Sequence, residues 1–214
     1  MPALVDPARS AVHHEPMSKY ISADGHRRRR IMQALAALLL APWNRAAAAL
    51  VPTPSQTAGP FYPRRFPADR DDDLTAVAGQ APAQGQHAWL SGRVLSPAGD
   101  PLADARVEIW QCDARGIYHH VGFQGGDPGF QGYGHTRCDA QGQFRFKTIQ
   151  PVPYGGRPPH VHLRVSTDDE LRLTTQIYIA GHPANARDGL FDPALAVDWL
   201  AEDGLVRASL DLVI

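Results

Sequence analysis

His160 and His162 are separated by one residue, so in an extended chain both imidazoles project from one face and Val161 from the other. Two imidazoles converging on one point are a common way to hold a metal ion, although an H-x-H pair by itself is also found in cores and on surfaces. Tyr154 precedes the pair in Pro151-Val152-Pro153-Tyr154-Gly155-Gly156-Arg157-Pro158-Pro159-His160-Val161-His162, on a loop tightened by proline and glycine. From that loop a phenol can approach the ion that the strand presents. A free phenol with a pKa of about 10 is neutral near pH 7, whereas a bound cation stabilises the phenolate. Phenolate oxygens combined with neutral imidazoles favour a hard, oxidised ion such as ferric iron over metals that select thiolates.

A second group of residues lies upstream. Thr53-Pro54-Ser55-Gln56-Thr57-Ala58-Gly59-Pro60-Phe61-Tyr62, then Val107-Glu108-Ile109-Trp110-Gln111 followed by Gly116-Ile117-Tyr118-His119-His120, stand in order before Tyr154 and the Arg157-Pro158-Pro159-His160-Val161-His162 run. Together these segments resemble the intradiol ring-cleavage dioxygenases, in particular the metal-bearing chain of the protocatechuate 3,4-dioxygenases and their exported relatives. The resemblance extends over residues 53–213. It implies non-haem ferric iron held by Tyr118, Tyr154, His160 and His162, with Tyr154 the ligand displaced by substrate and Tyr118 the one that stays. It also implies a catechol-type substrate, opened by dioxygen between its two hydroxylated carbons to a muconate-type dicarboxylic acid. By the same correspondence Arg157 faces the substrate, where a guanidinium stabilises developing negative charge, and Gln176, in Thr174-Thr175-Gln176-Ile177-Tyr178, is a second polar residue of the site. The chain departs from the resemblance in one place. Only Gly-Gly-Arg-Pro-Pro links Tyr154 to His160, where relatives commonly carry a longer loop that shapes the substrate pocket, so the identity of the catechol stays open. All four ligands are retained, which is compatible with a homo-oligomer built from this chain alone.

The elements that must position these residues read as strands. Residues 89–95 look like a first strand, Ser96-Pro97-Ala98-Gly99-Asp100 like its turn and residues 105–110 like an antiparallel partner. Asp139-Ala140-Gln141-Gly142 offers another turn before 143–149, where Phe144 and Phe146 share a face, and further strand-like runs cover 160–166, 173–179 and 206–213. A short helix is expected only near 193–200. Short strands at these intervals predict an all-β fold, an antiparallel β-sandwich with Greek-key connections and long active-site loops over 87–214, preceded by an extended arm over 51–86. Trp110, Tyr133 and Tyr178 are expected to pack; His119, His120, His135 and His182 to lie on surface, loop or beside the site; Asp139 and Asp168 to be solvated turn acids.

At 214 residues, with 43% apolar residues, 19 Gly and 19 Pro, the chain suits one turn-rich catalytic domain. Seven of the 21 Lys and Arg but only three of the 22 Asp and Glu precede Val51, leaving a mildly acidic remainder without the basic field that nucleic-acid binding needs. Within residues 1–50, Arg27 to Arg30 precede an apolar run at 31–42 and small residues at 46–49, the order of an export leader. The paired arginines resemble a twin-arginine signal, which implies a folded protein delivered to the periplasm. A basic leader that stays in the cytoplasm, with Met17 as the start, is the other reading. The apolar run is shorter than the ~20 residues a membrane anchor requires. An oxidising compartment would permit Cys112 and Cys138 to pair, and two buried thiols are the alternative.

Two other functions compete with a dioxygenase: a noncatalytic β-sandwich binding module, since fold alone does not specify function, and a zinc hydrolase built on His160 and His162. The latter lacks a conventional third zinc ligand and a general base in the motif.

Overall fold

The strand His160–Thr167 alternates as its sequence does: Val161, Leu163 and Val165 are fully buried in the main core, while His160 and His162 occupy the opposite face. In the computed structural model, which describes residues 49–214, this strand is central to one of two sheets. The export-type leader, with its arginines and apolar run, lies outside the described residues.

Nine strands follow in order: β1 (His87–Leu95), β2 (Arg106–Trp110), β3 (Tyr133–Arg137), β4 (Gln143–Ile149), β5 (His160–Thr167), β6 (Glu170–Ile179), β7 (Ala196–Val197), β8 (Leu200–Glu202) and β9 (Leu205–Val213). One sheet has the order β4-β1-β9-β8 and the other β3-β2-β5-β6-β7. Their inner faces supply the core, with Leu90, Phe144 and Phe146 from the first and Val107, Ile109, Val161, Leu163 and Ile177 from the second. In β4 the alternation is clean: Phe144 and Phe146 are buried, Gln143 and Arg145 exposed. Among the described residues no helix is long and apolar enough to cross a membrane.

The expected all-β, two-sheet architecture is there and most strand pairs are antiparallel; one correction is that both sheets are mixed. β1 runs parallel to β9 and β6 parallel to β7, while the other pairs are antiparallel. A second correction concerns β1 and β2. They do not form a hairpin; Ser96 to Asp100 turns the chain, but β1 pairs with β4 and β9 whereas β2 pairs with β3 and β5 in the other sheet. Both strands have an apolar inward face, and placing them opposite one another buries both. The helix expected near 193–200 shrinks to a single 3-10 turn, Pro193–Leu195, capped by the Asp192 carboxylate on Ala194 N and followed by short β7 and β8. β3 was not foreseen, because Tyr133-Gly134-His135-Thr136-Arg137 lacks apolar alternation.

The arm over 51–86 has little regular structure, yet it is not merely peripheral. Leu74 is fully buried within the main core, and Asp73 bridges to Lys147 of β4. Cys112 and Cys138 are two buried, unpaired thiols, Cys138 in the main core and Cys112 in a smaller cluster with Trp110, Tyr118 and Tyr133. Burial chiefly pushes both thiols up, to about 12 and about 11 respectively, so neither is poised as a thiolate. Asp139 is exposed, as expected of a turn acid, and its Oδ1 accepts from Gln141 N and Gln143 N, which fixes the turn into β4.

Candidate metal and substrate site

Strand register builds the floor of the site. Tyr133 of β3 sits opposite Trp110 of β2, Trp110 opposite His162 of β5, and His162 opposite Gln176 of β6; one step away His160 is opposite Tyr178. These residues share the outer face of the five-stranded sheet, because the residues between them face the core. Trp110 lies flat against His162, ring centroids 5.0 Å apart at 6°, so it packs beneath the site as expected. Gly59 of the arm also adjoins His162: an added Cβ would stand 3.4 Å from His162 Cε1, and its φ of 65° favours glycine.

Two loops bring the tyrosines over this floor. After β2, the fully buried Asp113 accepts from Arg115 N and Ile117 N through Oδ1 and from Asp127 N through Oδ2, which holds the loop that carries Tyr118. Asp113 escaped the sequence reading; Asp113-Ala114-Arg115-Gly116 is a turn signal that could have flagged it. The second loop is a tight hairpin. Tyr154 and Arg157 exchange backbone hydrogen bonds across Gly155 and Gly156, whose φ values of 53° and 83° give the two left-handed central residues of such a turn. A Cβ at either glycine would meet nothing within 4 Å, so the requirement is conformational, not steric.

The structure sets the two tyrosines against each other and the two histidines against each other, and Trp110 links the pairs, packing with Tyr118 in one cluster and stacking on His162. The tyrosine rings are 5.0 Å apart at 89° and the histidine rings 5.0 Å apart at 78°. Tyr118 is buried and Tyr154 half-buried. Burial pushes the Tyr118 phenol well above its usual value, and among the described residues its hydroxyl has no hydrogen-bond partner. Burial also drives His160 down to about 4 and His162 well below its ordinary value, so both imidazoles are neutral at pH 7. The His162 Nδ1 is likewise buried without a partner. Leaving a buried polar group unsatisfied costs about 1–3 kcal/mol. Tyr118 will not ionise on its own here, and a cation is the natural way to stabilise its phenolate. Among the described residues no three His, Cys, Asp or Glu cluster to hold an ion, and the phenols are the further oxygen donors beside the histidines.

Arg157 and Gln176 meet beside the histidines. Gln176 is fully buried and accepts from Arg157 Nη1 at 2.7 Å, while its own amide donates to Thr57 O of the arm. Arg157 also donates to Tyr178 OH at 3.0 Å and pairs with Asp188 at 2.8 Å. Tyr178 thus has a polar role beyond packing, and Asp188 is a residue the sequence reading missed; Asp188-Gly189 signals only a turn. Of the remaining histidines, His120 lies nearest, its ring 5.8 Å from Tyr118 and its Nε2 3.2 Å from Phe61 O. His182 accepts from Ala184 N within its own loop, His135 lies on β3, and His119 opens a 3-10 turn.

A cavity of about 120 Å³ borders Tyr118 and Tyr154 and is walled by Phe61, Ile117 and Phe123. A much larger hollow of about 890 Å³ lies on the β4-β1-β9 face; Arg93 and Asp211 in its wall pair with each other, and it has none of the histidines or tyrosines described above.

This two-sheet architecture is that of the intradiol dioxygenases. The family model described as Dioxygenase (Dioxygenase_C) matches residues 57–209, and the chain belongs to that family. It is 38% identical over 158 residues to the beta chain of protocatechuate 3,4-dioxygenase from Burkholderia cepacia, covering 68% of this chain and 65% of that one. It is 33% identical over 153 residues to catechol 1,2-dioxygenase from Acinetobacter baylyi, covering 61% and 47%. The chain thus spans about half to two thirds of the length of these curated relatives. Among solved structures, the dioxygenase domain of a dioxygenase and carbohydrate-binding protein fusion from Streptomyces sp. SirexAA-E superposes with a TM-score of 0.64 at 32% identity, covering 77% of this chain and 98% of that one.

Proposed function

We propose that this protein is a non-haem ferric-iron dioxygenase that opens a catechol-type ring between its two hydroxylated carbons to a muconate-type product, and that its leader directs export to the periplasm. The observation that supports the reading is a pair of loop phenols and a pair of neutral imidazoles on the sheet face, both packed around Trp110, in a chain of this family. Tyr118, Tyr154, His160 and His162 are the residues that would hold the iron. When bound, iron supplies the electronic activation that lets a catecholate react with dioxygen.

The protein's own contributions follow from the geometry. Tyr118, buried and stacked against Phe61, is the fixed phenol; Tyr154, half-buried on its two-glycine turn, is the one free to give way to substrate. The His160 Nδ1 lies 2.7 Å from Pro158 O, which can only accept, so Nδ1 carries the proton and Nε2 presents the lone pair. Arg157 supplies a positive group beside that nitrogen, with Nη1 3.2 Å away, where charge developing on a bound ring would be stabilised. The apolar walls Phe61, Ile117 and Phe123 limit water next to the tyrosines.

The test is a visible absorption spectrum of the purified, iron-quantified protein, before and after anaerobic addition of catechol, protocatechuate and hydroxyquinol, followed by oxygen. A phenolate-to-iron band that shifts with one of them, and a dicarboxylic product containing both atoms of dioxygen, are expected. A protein that cannot be loaded with iron, or a loaded one that leaves all three rings intact, would refute the reading and favour a binding module.

A further inference from the structure

Arg157 has five N–H donors in a rigid plane, and almost all are committed. Nε and Nη2 both donate to Asp188 Oδ2, at 3.2 and 2.8 Å; Nη2 also donates to Tyr178 OH at 3.0 Å; Nη1 donates to Gln176 Oε1 at 2.7 Å. The remaining Nη1 contact is with His160 Nε2 at 3.2 Å, the nitrogen whose lone pair a metal would take. Once that lone pair is engaged elsewhere, one N–H of the guanidinium is left for a ligand.

Asp188 is itself held. Its side chain is only 8% exposed, its Oδ1 accepts from Leu190 N, its own N–H donates to Asn185 O, and its carbonyl accepts from Phe191 N. Asn185 in turn is buried and donates to Ile179 O at the end of β6. The carboxylate is therefore anchored to the same sheet that carries Gln176 and Tyr178, and it reaches Arg157 from the side away from His160. A charge-assisted pair of this kind fixes orientation as well as charge.

Resting on the dioxygenase reading above, we infer that Asp188 is the positioning residue of the site: it sets the plane of Arg157 and compensates its charge, so that the substrate meets one aimed N–H and no free cation. Two consequences follow. Without the carboxylate the guanidinium loses two of its fixed contacts and its aim. The uncompensated charge then favours rings that bear an additional anionic group.

The experiment compares wild type, Asp188→Asn and Asp188→Glu, each loaded with iron and first matched by thermal melting. Steady-state turnover of catechol and protocatechuate is measured, and the Arg157 Nε–H resonance is recorded in protein loaded with diamagnetic gallium(III). Asp188→Asn is expected to lower kcat for catechol about 10- to 100-fold, the scale of misplacing a group by about an ångström. The ratio of kcat/KM for protocatechuate over catechol should rise roughly tenfold, as one uncompensated, partly screened charge would produce. Asp188→Glu should recover part of both. The Nε–H resonance should shift upfield and exchange faster in Asp188→Asn. Wild-type turnover, an unchanged substrate ratio or an unmoved resonance in Asp188→Asn would overturn the inference, as would Asp188→Glu behaving no better than Asp188→Asn. If wild type cleaves neither ring, the dioxygenase reading fails by itself, and the resonance still decides whether Asp188 fixes Arg157.

Discussion

Phe61 stacks on Tyr118, ring centroids 4.2 Å apart at 10°, so a residue of the N-terminal arm lies face to face with the more buried of the two candidate ligand phenols. Phe61 also meets Tyr154 edge-on at 5.1 Å, which places it against both tyrosines at once. The arm is thus a wall of the site as well as a covering for the core. Replacing Phe61 by Leu retains apolar bulk and removes the stacking, which is worth about 0.5–1.5 kcal/mol beyond burial. The expected outcome is a loss of stability of that order in denaturant titration and a displaced phenolate-to-iron band in the loaded protein. An unchanged band would show that Phe61 does not hold Tyr118.

The two tyrosines should respond differently to loss of the hydroxyl. Tyr118→Phe removes the buried phenol and is expected to weaken iron retention by more than the roughly 10- to 100-fold typical of losing an outer partner of a metal ligand. Tyr154→Phe should keep more iron and instead alter the colour and the response to added catechol. Metal content by elemental analysis and the spectrum separate the two; equal retention in both variants would contradict their assignment as fixed and yielding ligands.

Arg157→Leu keeps an apolar stem and removes the guanidinium with its charge. Turnover should fall about 10²- to 10³-fold, the scale of deleting a preorganised group that stabilises developing charge, while iron content falls much less. Full activity in this variant would remove Arg157 from the mechanism.

Core packing gives a prediction independent of the chemistry. Phe146 is fully buried opposite Leu90, and Phe146→Ala should cost about 3–5 kcal/mol. A denaturant midpoint close to wild type would show that the two sheets are not packed as described.

Asp73 supplies a pH dependence. Burial by itself raises its pKa, but hydrogen bonds from Thr75 and Lys147 outweigh this and hold the carboxyl below its ordinary value of 3.8. A depressed folded-state pKa contributes stability that is present above the unfolded value and is lost as pH falls through the folded one. The difference in stability between wild type and Asp73→Asn should therefore be constant near neutrality and shrink below about pH 4. A difference that grows on acidification would reverse the sign of the argument.

The sequence carried the strands whose apolar residues alternate. Residues 143–149 were read with the bounds the structure shows, and 160–166 differs from β5 by one residue. Sheet assignment was less legible, because alternation says which face of a strand is buried but not which strand lies beside it; β1 and β2 were paired for that reason. Tyr154 and the two histidines were legible from their spacing, and Tyr118, Arg157 and Gln176 only from the family resemblance; the structure puts Tyr118 against Tyr154 and Arg157 against both His160 and Gln176. Asp188, Asp113 and Phe61 were not assigned roles, since each acts on a residue distant in sequence: 31 positions separate Asp188 from Arg157. Turn-type residues such as Asp113 and Asp188 look alike in sequence whether they cap a loop at the surface or steer a site.

The alternation along β5 ties survival of the chain to competence of its site. Val161, Leu163 and Val165 are committed to the interior by the same step of two that sends His160 and His162 outward. Slippage of this strand by one position would thrust two imidazoles among aliphatic groups and leave valines in their place, a state that burial of polar rings opposes. A well-packed but siteless isomer is therefore discouraged by the packing itself. In a population of molecules, the fraction that folds and the fraction with both histidines correctly aimed are the same fraction, so quality control that reads only foldedness also reads activity.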